Sequence, residues 1–153
     1  MSQDEGAGGG APEHGPEPAS DPNWAGWRHW RGDHFEDHAG PFYFREEEGG
    51  SVRCGFRVGA QHINGQGSLH GGAMLTFADY ALFVLAQMYA AGGAGVTVSL
   101  NGEFVGPAHL GELVEATGEV VRAGGSLIFM RGLISTGGRA VMTFSGVLKR
   151  VRR

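Results

Sequence analysis

Apolar and polar positions follow two rhythms along this chain. Phe42–Glu47 and Val52–Val58 read as strands joined by a turn over residues 47–51. In the second, Val52, Cys54, Phe56 and Val58 alternate with Arg53, Gly55 and Arg57, the period of a strand with one face covered. A polar, glycine-containing loop follows over residues 61–72. Then Ala73–Ala90 runs 18 residues without Pro or Gly and is apolar on nearly every side. That character predicts a buried helix, ended by Gly92-Gly93. Period two returns over Gly95–Val105, Glu112–Arg122, Ser126–Ser135 and Arg139–Arg150, with Gly124-Gly125 and Gly137-Gly138 as hairpin turns.

The predicted order is therefore β-β-α-β-β-β-β, an α+β arrangement. Short connections favour antiparallel pairing after the helix. A helix apolar all round must be enclosed, so the sheet is expected to curl around it. The open sheet edges then favour association with a second copy.

Composition refines the ends. Residues 1–22 hold four of the six prolines, five acids and no Lys or Arg, and read as a disordered acidic tail. The folded domain is expected over residues 23–153. Trp24, Trp27 and Trp30 recur every three residues, as on one face of a short helix in an arm over the core. Beyond the tail, 12 basic residues face 11 acidic ones, which excludes the dense positive surface that nucleic acid requires. The single cysteine, Cys54, excludes an internal disulfide and a cysteine-based zinc cage. His29, His34 and His38 include one i,i+4 pair, His34 and His38, but offer it no clear third ligand, so no metal is expected. No apolar run opens the chain, and Asp79 interrupts the apolar window Ala73–Ala91. The expectation is a cytoplasmic protein with no membrane span.

Candidate chemistry centres on that aspartate. Between Val58 and Gly102, 45 residues, Asp79 is the one formally ionised side chain. A carboxylate in a buried helix must be partnered, shifted in pKa or facing a cavity. The loop before the helix ends in His70-Gly71-Gly72. A helix N-terminus presents free N–H groups, and glycine lets a carbonyl approach them closely. Asp79 lies about 12 Å further along the helix, too far to meet that amide within one chain. If both act together, the second must come from another subunit.

His62-x-Asn64-x-x-Gly67-x-x-His70-Gly71-Gly72, six residues and Asp79, followed by Val96–Glu112, resembles the signature of the PaaI-type (phenylacetic acid degradation) thioesterases of the hotdog-fold superfamily. The resemblance runs from about Gly40 to Lys149. It implies a hotdog fold, an antiparallel sheet wrapped around one long central helix. It further implies a thioester hydrolase acting on acyl-CoA without a cofactor, as a homodimer or dimer of dimers. On that pattern Asp79 is the general base or nucleophile, contributed across the dimer interface, and the Gly71 N–H polarises the thioester carbonyl. Asn64 orients water or substrate, and Thr97 helps hold the water. His62, His70, Gly72 and Ser99 are the expected substrate contacts, with His70 shaping the loop rather than transferring protons. Two other classes fit the same frame: a hotdog hydratase or dehydratase on enoyl or hydroxyacyl thioesters, and a non-catalytic acyl-CoA binding module.

Overall fold

The computed structural model describes residues 15–87 and 95–151. The elements are β1 (Glu17–Pro18), β2 (Arg28–His29), α1 (His34–Ala39), β3 (Tyr43–Glu46), β4 (Val52–Arg57), α2 (Gly71–Ala86), β5 (Gly95–Phe104), β6 (Leu113–Ala123), β7 (Leu127–Thr136) and β8 (Arg139–Arg150). Short 3-10 turns lie at Pro22–Trp24 and Ala60–His62. The strands form one eight-stranded sheet in the order β1-β2-β3-β4-β6-β7-β8-β5, and every pairing is antiparallel. No helix among the described residues is long and apolar enough to cross a bilayer.

Helix α2 lies against the inner face of this sheet. Met74, Phe77, Ala78, Tyr80, Ala81, Leu82, Val84, Leu85 and Ala86 are buried. Side chains from β4, β6, β7 and β8 close around them, with Phe56, Val114, Ile134 and Met142 fully inside. Burying a side chain such as Phe77 or Leu82 contributes about 2–3 kcal/mol, so the apolar run fixes where the helix lies. One glycine lets it approach. A Cβ at Gly146 would clash with a Leu82 methyl and lie 3.0 Å from the Ser99 carbonyl oxygen, so β8 passes beneath the helix without a side chain there. Gly137 and Gly138, both with positive φ, make the tight β7–β8 turn that the sequence marks.

Two features depart from the sequence pattern. Neighbours in sequence pair through β6, β7 and β8, but β5 pairs with β8 and, among the described residues, leaves its other edge open. The segment from β5 to β6 crosses the mouth of the fold, tied down where Leu69 N–H donates to Ala108 O and Gly111 N–H to Val58 O. The tryptophans do not share a helix. Gly26, at φ +85°, breaks the run between Trp24 and Trp27. Trp24 and Trp27 pack with Tyr43 on one face of β3, while Trp30 stacks on Phe44 on the other, ring centroids 4.6 Å apart.

The arm also begins earlier than composition suggests. Glu17 and Pro18 pair with β2, and Ala19 N–H donates to Trp27 O, so residues 15–22 are part of the body. The expected disorder of residues 1–14 falls outside the described residues, as does the expected helix end at Gly92-Gly93.

Candidate active site

The loop before α2 is built by its own polar side chains. Asn64 Oδ1 accepts the N–H groups of Gln66 and Ser68 at 2.9 and 3.1 Å. Two converging donors fix which end of the amide is oxygen. Asn64 Nδ2 has no partner among the described residues. His70 is the N-cap of α2. Its Nδ1 accepts the Gly72 N–H at 2.8 Å, the role that Ser, Thr or Asp usually fills. A Cβ on Gly72 would lie 3.0 Å from that nitrogen, so glycine there protects the cap. His70 thus shapes the loop, and it spends Gly72's amide in doing so.

His62 is 4% exposed. Its Nδ1 accepts the Gly59 N–H at 2.9 Å, and its Nε2 donates to the Ala39 carbonyl at 2.6 Å. Both ring nitrogens are committed to backbone. The expectation of a substrate contact is therefore corrected: His62 ties the arm, the exit of β4 and the loop together, and its own carbonyl receives the His70 N–H.

The capping pattern singles out one amide. Ala73 and Met74 N–H both reach the His70 carbonyl, and Gly72 N–H reaches the His70 ring. Among the described residues the Gly71 N–H has no partner. It points out of the first turn of α2 with the positive end of the helix dipole behind it. The exposed ring of Phe104 lies over Gly71, 3.4 Å from where a Cβ would sit. Phe104 carries no polar signal and was not expected from the sequence.

Two turns along α2, Asp79 Oδ1 accepts a hydrogen bond from Thr97 Oγ1 at 2.6 Å. The bulge in β5 makes this contact. Thr97 lies opposite Leu148 and Ser99 opposite Val147, leaving Val98 unpaired. Directly opposed residues share a face, so Thr97 joins buried Leu148 on the helix side. Ser99 is turned to the other face, where it accepts from Asn101 Nδ2 at 2.9 Å. Strict alternation places Thr97 and Ser99 together. The extra residue separates them and, within one protomer, turns Ser99 away from Asp79.

One chain therefore holds a positioned carboxylate and a free, dipole-backed amide on the same helix, about 12 Å apart along its axis. A positioned carboxylate can activate or deliver an attacking oxygen, and a free helix-terminal amide can stabilise charge on a carbonyl oxygen, so the two ends offer complementary chemistry. Among the described residues no three His, Cys, Asp or Glu side chains are grouped to hold a metal ion.

The model of the thioesterase superfamily matches residues 66–143, from the loop before α2 into β8. This chain belongs to the thioesterase superfamily. Among curated proteins, the thioesterase is 31% identical to an esterase of Pseudomonas aeruginosa over 72% of this chain and 84% of that one. It is 35% identical to human acyl-coenzyme A thioesterase 13 over 52% of this chain and 57% of the relative. Among solved structures, a Bacillus halodurans protein determined with CoA superposes with a TM-score of 0.67 at 26% identity, covering 72% of this chain and 74% of that one. The Escherichia coli PaaI protein of the phenylacetic acid degradation operon shares the fold, with a TM-score of 0.70 at 23% identity over 78% and 86% of the two chains. The thioesterase thus shares the hotdog fold of the PaaI protein and is a thioester hydrolase.

Proposed function

We propose that the thioesterase hydrolyses acyl-CoA thioesters at composite sites, each built from Asp79 of one protomer and Gly71 of another. The carrying observation is the arrangement on α2: a carboxylate held by Thr97 at 2.6 Å and, two turns away, an amide left free by its own cap. One thioester cannot reach both within a chain, and an antiparallel partner brings opposite helix ends together. The open edge of β5 supports that partner. It offers a ten-residue strand, with Val98 57% and Phe104 51% exposed beside Thr97 and Gly71 respectively. A long apolar edge of this kind is ordinarily covered. CoA as the carrier is supported by the CoA-bound relative and by the acyl-coenzyme A thioesterase named above.

In this reading the thioester carbonyl accepts the Gly71 N–H, while Asn64 Nδ2 steadies the substrate or the water. Asp79 either removes a proton from water or attacks the carbonyl carbon itself. In the first route the water oxygen bonds to the carbonyl carbon as the C–S bond breaks; in the second an acyl–Asp79 anhydride forms as the C–S bond breaks, and a water then cleaves it and restores the carboxylate. In both, the sulfur takes up a proton and leaves as the CoA thiol, and the acyl group leaves as the free acid. Charge on the carbonyl oxygen is met by the helix terminus. The hydratase alternative fares worse, because proton transfer at carbon calls for a free base such as histidine. His62 is spent on Gly59 and Ala39, and His70 Nδ1 on the cap.

The test is thiol release from a panel of acyl-CoAs by wild type and Asp79→Asn, which preserves shape and removes the charge. A fall in kcat of at least about a hundredfold is expected, with far-UV circular dichroism unchanged. Undiminished turnover in the variant would refute the assignment. Binding of acyl-CoA by wild type without turnover on any thioester would favour the non-catalytic module.

A further inference from the structure

Resting on that reading of the site, we propose that the N-terminal arm forms the far wall of the acyl chamber and that Glu36 selects acyl groups carrying a hydroxyl or keto oxygen. The arm lies outside residues 66–143, the part matched by the superfamily model.

A cavity of about 370 Å³ lies between the arm, the last turns of α2 and the ends of β5, β7 and β8. That is the size of a small-molecule site. Trp30, Tyr80, Phe83 and Leu148 give it apolar walls, and Glu36 and Arg150 are polar groups in its lining. Its place relative to Asp79 follows from the fold. Phe83 is one helical turn beyond Asp79 on the same face. Gly95 is two residues before Thr97 on β5, and a Cβ built on it would lie 3.8 Å from the Phe83 ring. The chamber therefore begins one turn past the carboxylate, on the side away from Gly71. An acyl group whose thioester sits at Asp79 has this space ahead of it.

Two polar side-chain groups in the lining lack partners among the described residues. Glu36 makes no side-chain hydrogen bond among the described residues, although its backbone N–H is capped by Asp33 at 2.9 Å. Arg150 Nε is buried and likewise without a partner among them. Burial, with Asp33, Asp79 and Asp37 nearby, pushes the Glu36 carboxyl up to about 7, so near neutrality it is partly a neutral O–H donor. Lys149 and Asp33 also border the space. A hydrocarbon chain leaves Glu36 and the Arg150 Nε without hydrogen bonds. An acyl group with an oxygen at the right carbon satisfies them, and a site built to pair a polar group discriminates against the analogue lacking it.

The test compares octanoyl-CoA with octanoyl-CoAs bearing one hydroxyl at C3, C5 or C8. Wild type is expected to favour at least one hydroxylated substrate by tenfold or more in kcat/KM, mainly through KM. Glu36→Leu should lower kcat/KM for that substrate and raise it for octanoyl-CoA, collapsing the ratio, whereas Glu36→Gln should keep part of it. No preference in wild type, or a ratio untouched in a folded Glu36→Leu protein, overturns the proposal. If wild type cleaves no thioester, the hydrolase reading fails separately. The chamber is then judged by calorimetric binding of the matching CoA thioethers, where the same preference and the same collapse must appear.

Discussion

Gly71→Pro removes one hydrogen atom from the proposed machinery and almost nothing from the fold. Gly71 is the first residue of α2, where proline is tolerated because its missing N–H has no intrahelical acceptor. His70, at φ −65° and ψ 135°, already has the extended backbone that a residue before proline adopts. A Cβ at this position meets only the exposed ring of Phe104, 3.4 Å away. Stability should stay within about 1 kcal/mol of wild type. Catalysis should not: losing one oxyanion donor costs about 2.7–4 kcal/mol, a hundred- to thousandfold in kcat. The assay is thiol release read with an aromatic disulfide, beside a thermal melt. Cys54, the one thiol of the chain, is buried, and burial raises its pKa, so it adds no background in the folded protein. A Gly71→Pro protein that melts like wild type and keeps more than a third of its kcat would refute the oxyanion role.

Three further outcomes follow from the same geometry. Thr97→Val removes the 2.6 Å hydrogen bond to Asp79 at an exposed position, so kcat should fall roughly ten- to a hundredfold with little change in melting temperature. His62→Ala should lower stability by about 2–4 kcal/mol in urea unfolding, because it strands the Gly59 N–H and the Ala39 carbonyl around a buried void; a smaller loss would mean that the strut is dispensable. Glu36 titrates at about 7 when folded instead of 4.5, so it favours the folded state most below pH 4.5 and loses that contribution as pH rises through 7. At full weight this is about 3 kcal/mol, trimmed to roughly 1–2 by solvent at a half-buried group. The stability of wild type relative to Glu36→Gln should drop by that amount between pH 4.5 and 8, and a flat difference would contradict the burial argument.

The parts of the molecule that local sequence reveals are those that local physics decides. The 18-residue apolar run from Ala73 specified an enclosed helix, and the structure starts it two residues earlier because His70 caps it at Gly71. The paired glycines before β8 need positive φ, so the last hairpin was legible. Asp79 stood out because no other formal charge lies near it in sequence, and Thr97 is now seen to hold it. Other features depend on contacts that periodicity does not carry. The bulge at Val98 shifts β5 by one residue, which separates Thr97 from Ser99. The pairing of β5 with β8 joins segments about fifty residues apart. His62 looked like a ligand until both its nitrogens were found on backbone. Glu36 resembles the other acids of the arm, and only the packing of that arm against α2 brings it to the chamber.

The composite site is tested most directly by complementation. Asp79→Asn and Gly71→Pro chains, each tagged differently, are expressed separately and together, and the mixed assembly is purified through both tags. Each parent alone should be nearly inactive. In a mixed pair one site receives Asp79 from the Gly71→Pro chain and Gly71 from the Asp79→Asn chain, so it is intact while the other has lost both. The doubly purified assembly should recover about half of wild-type activity, the value for one working site in two under twofold symmetry. Activity no higher than the parents, in an assembly shown to contain both tags, would mean that Asp79 and Gly71 do not meet across protomers.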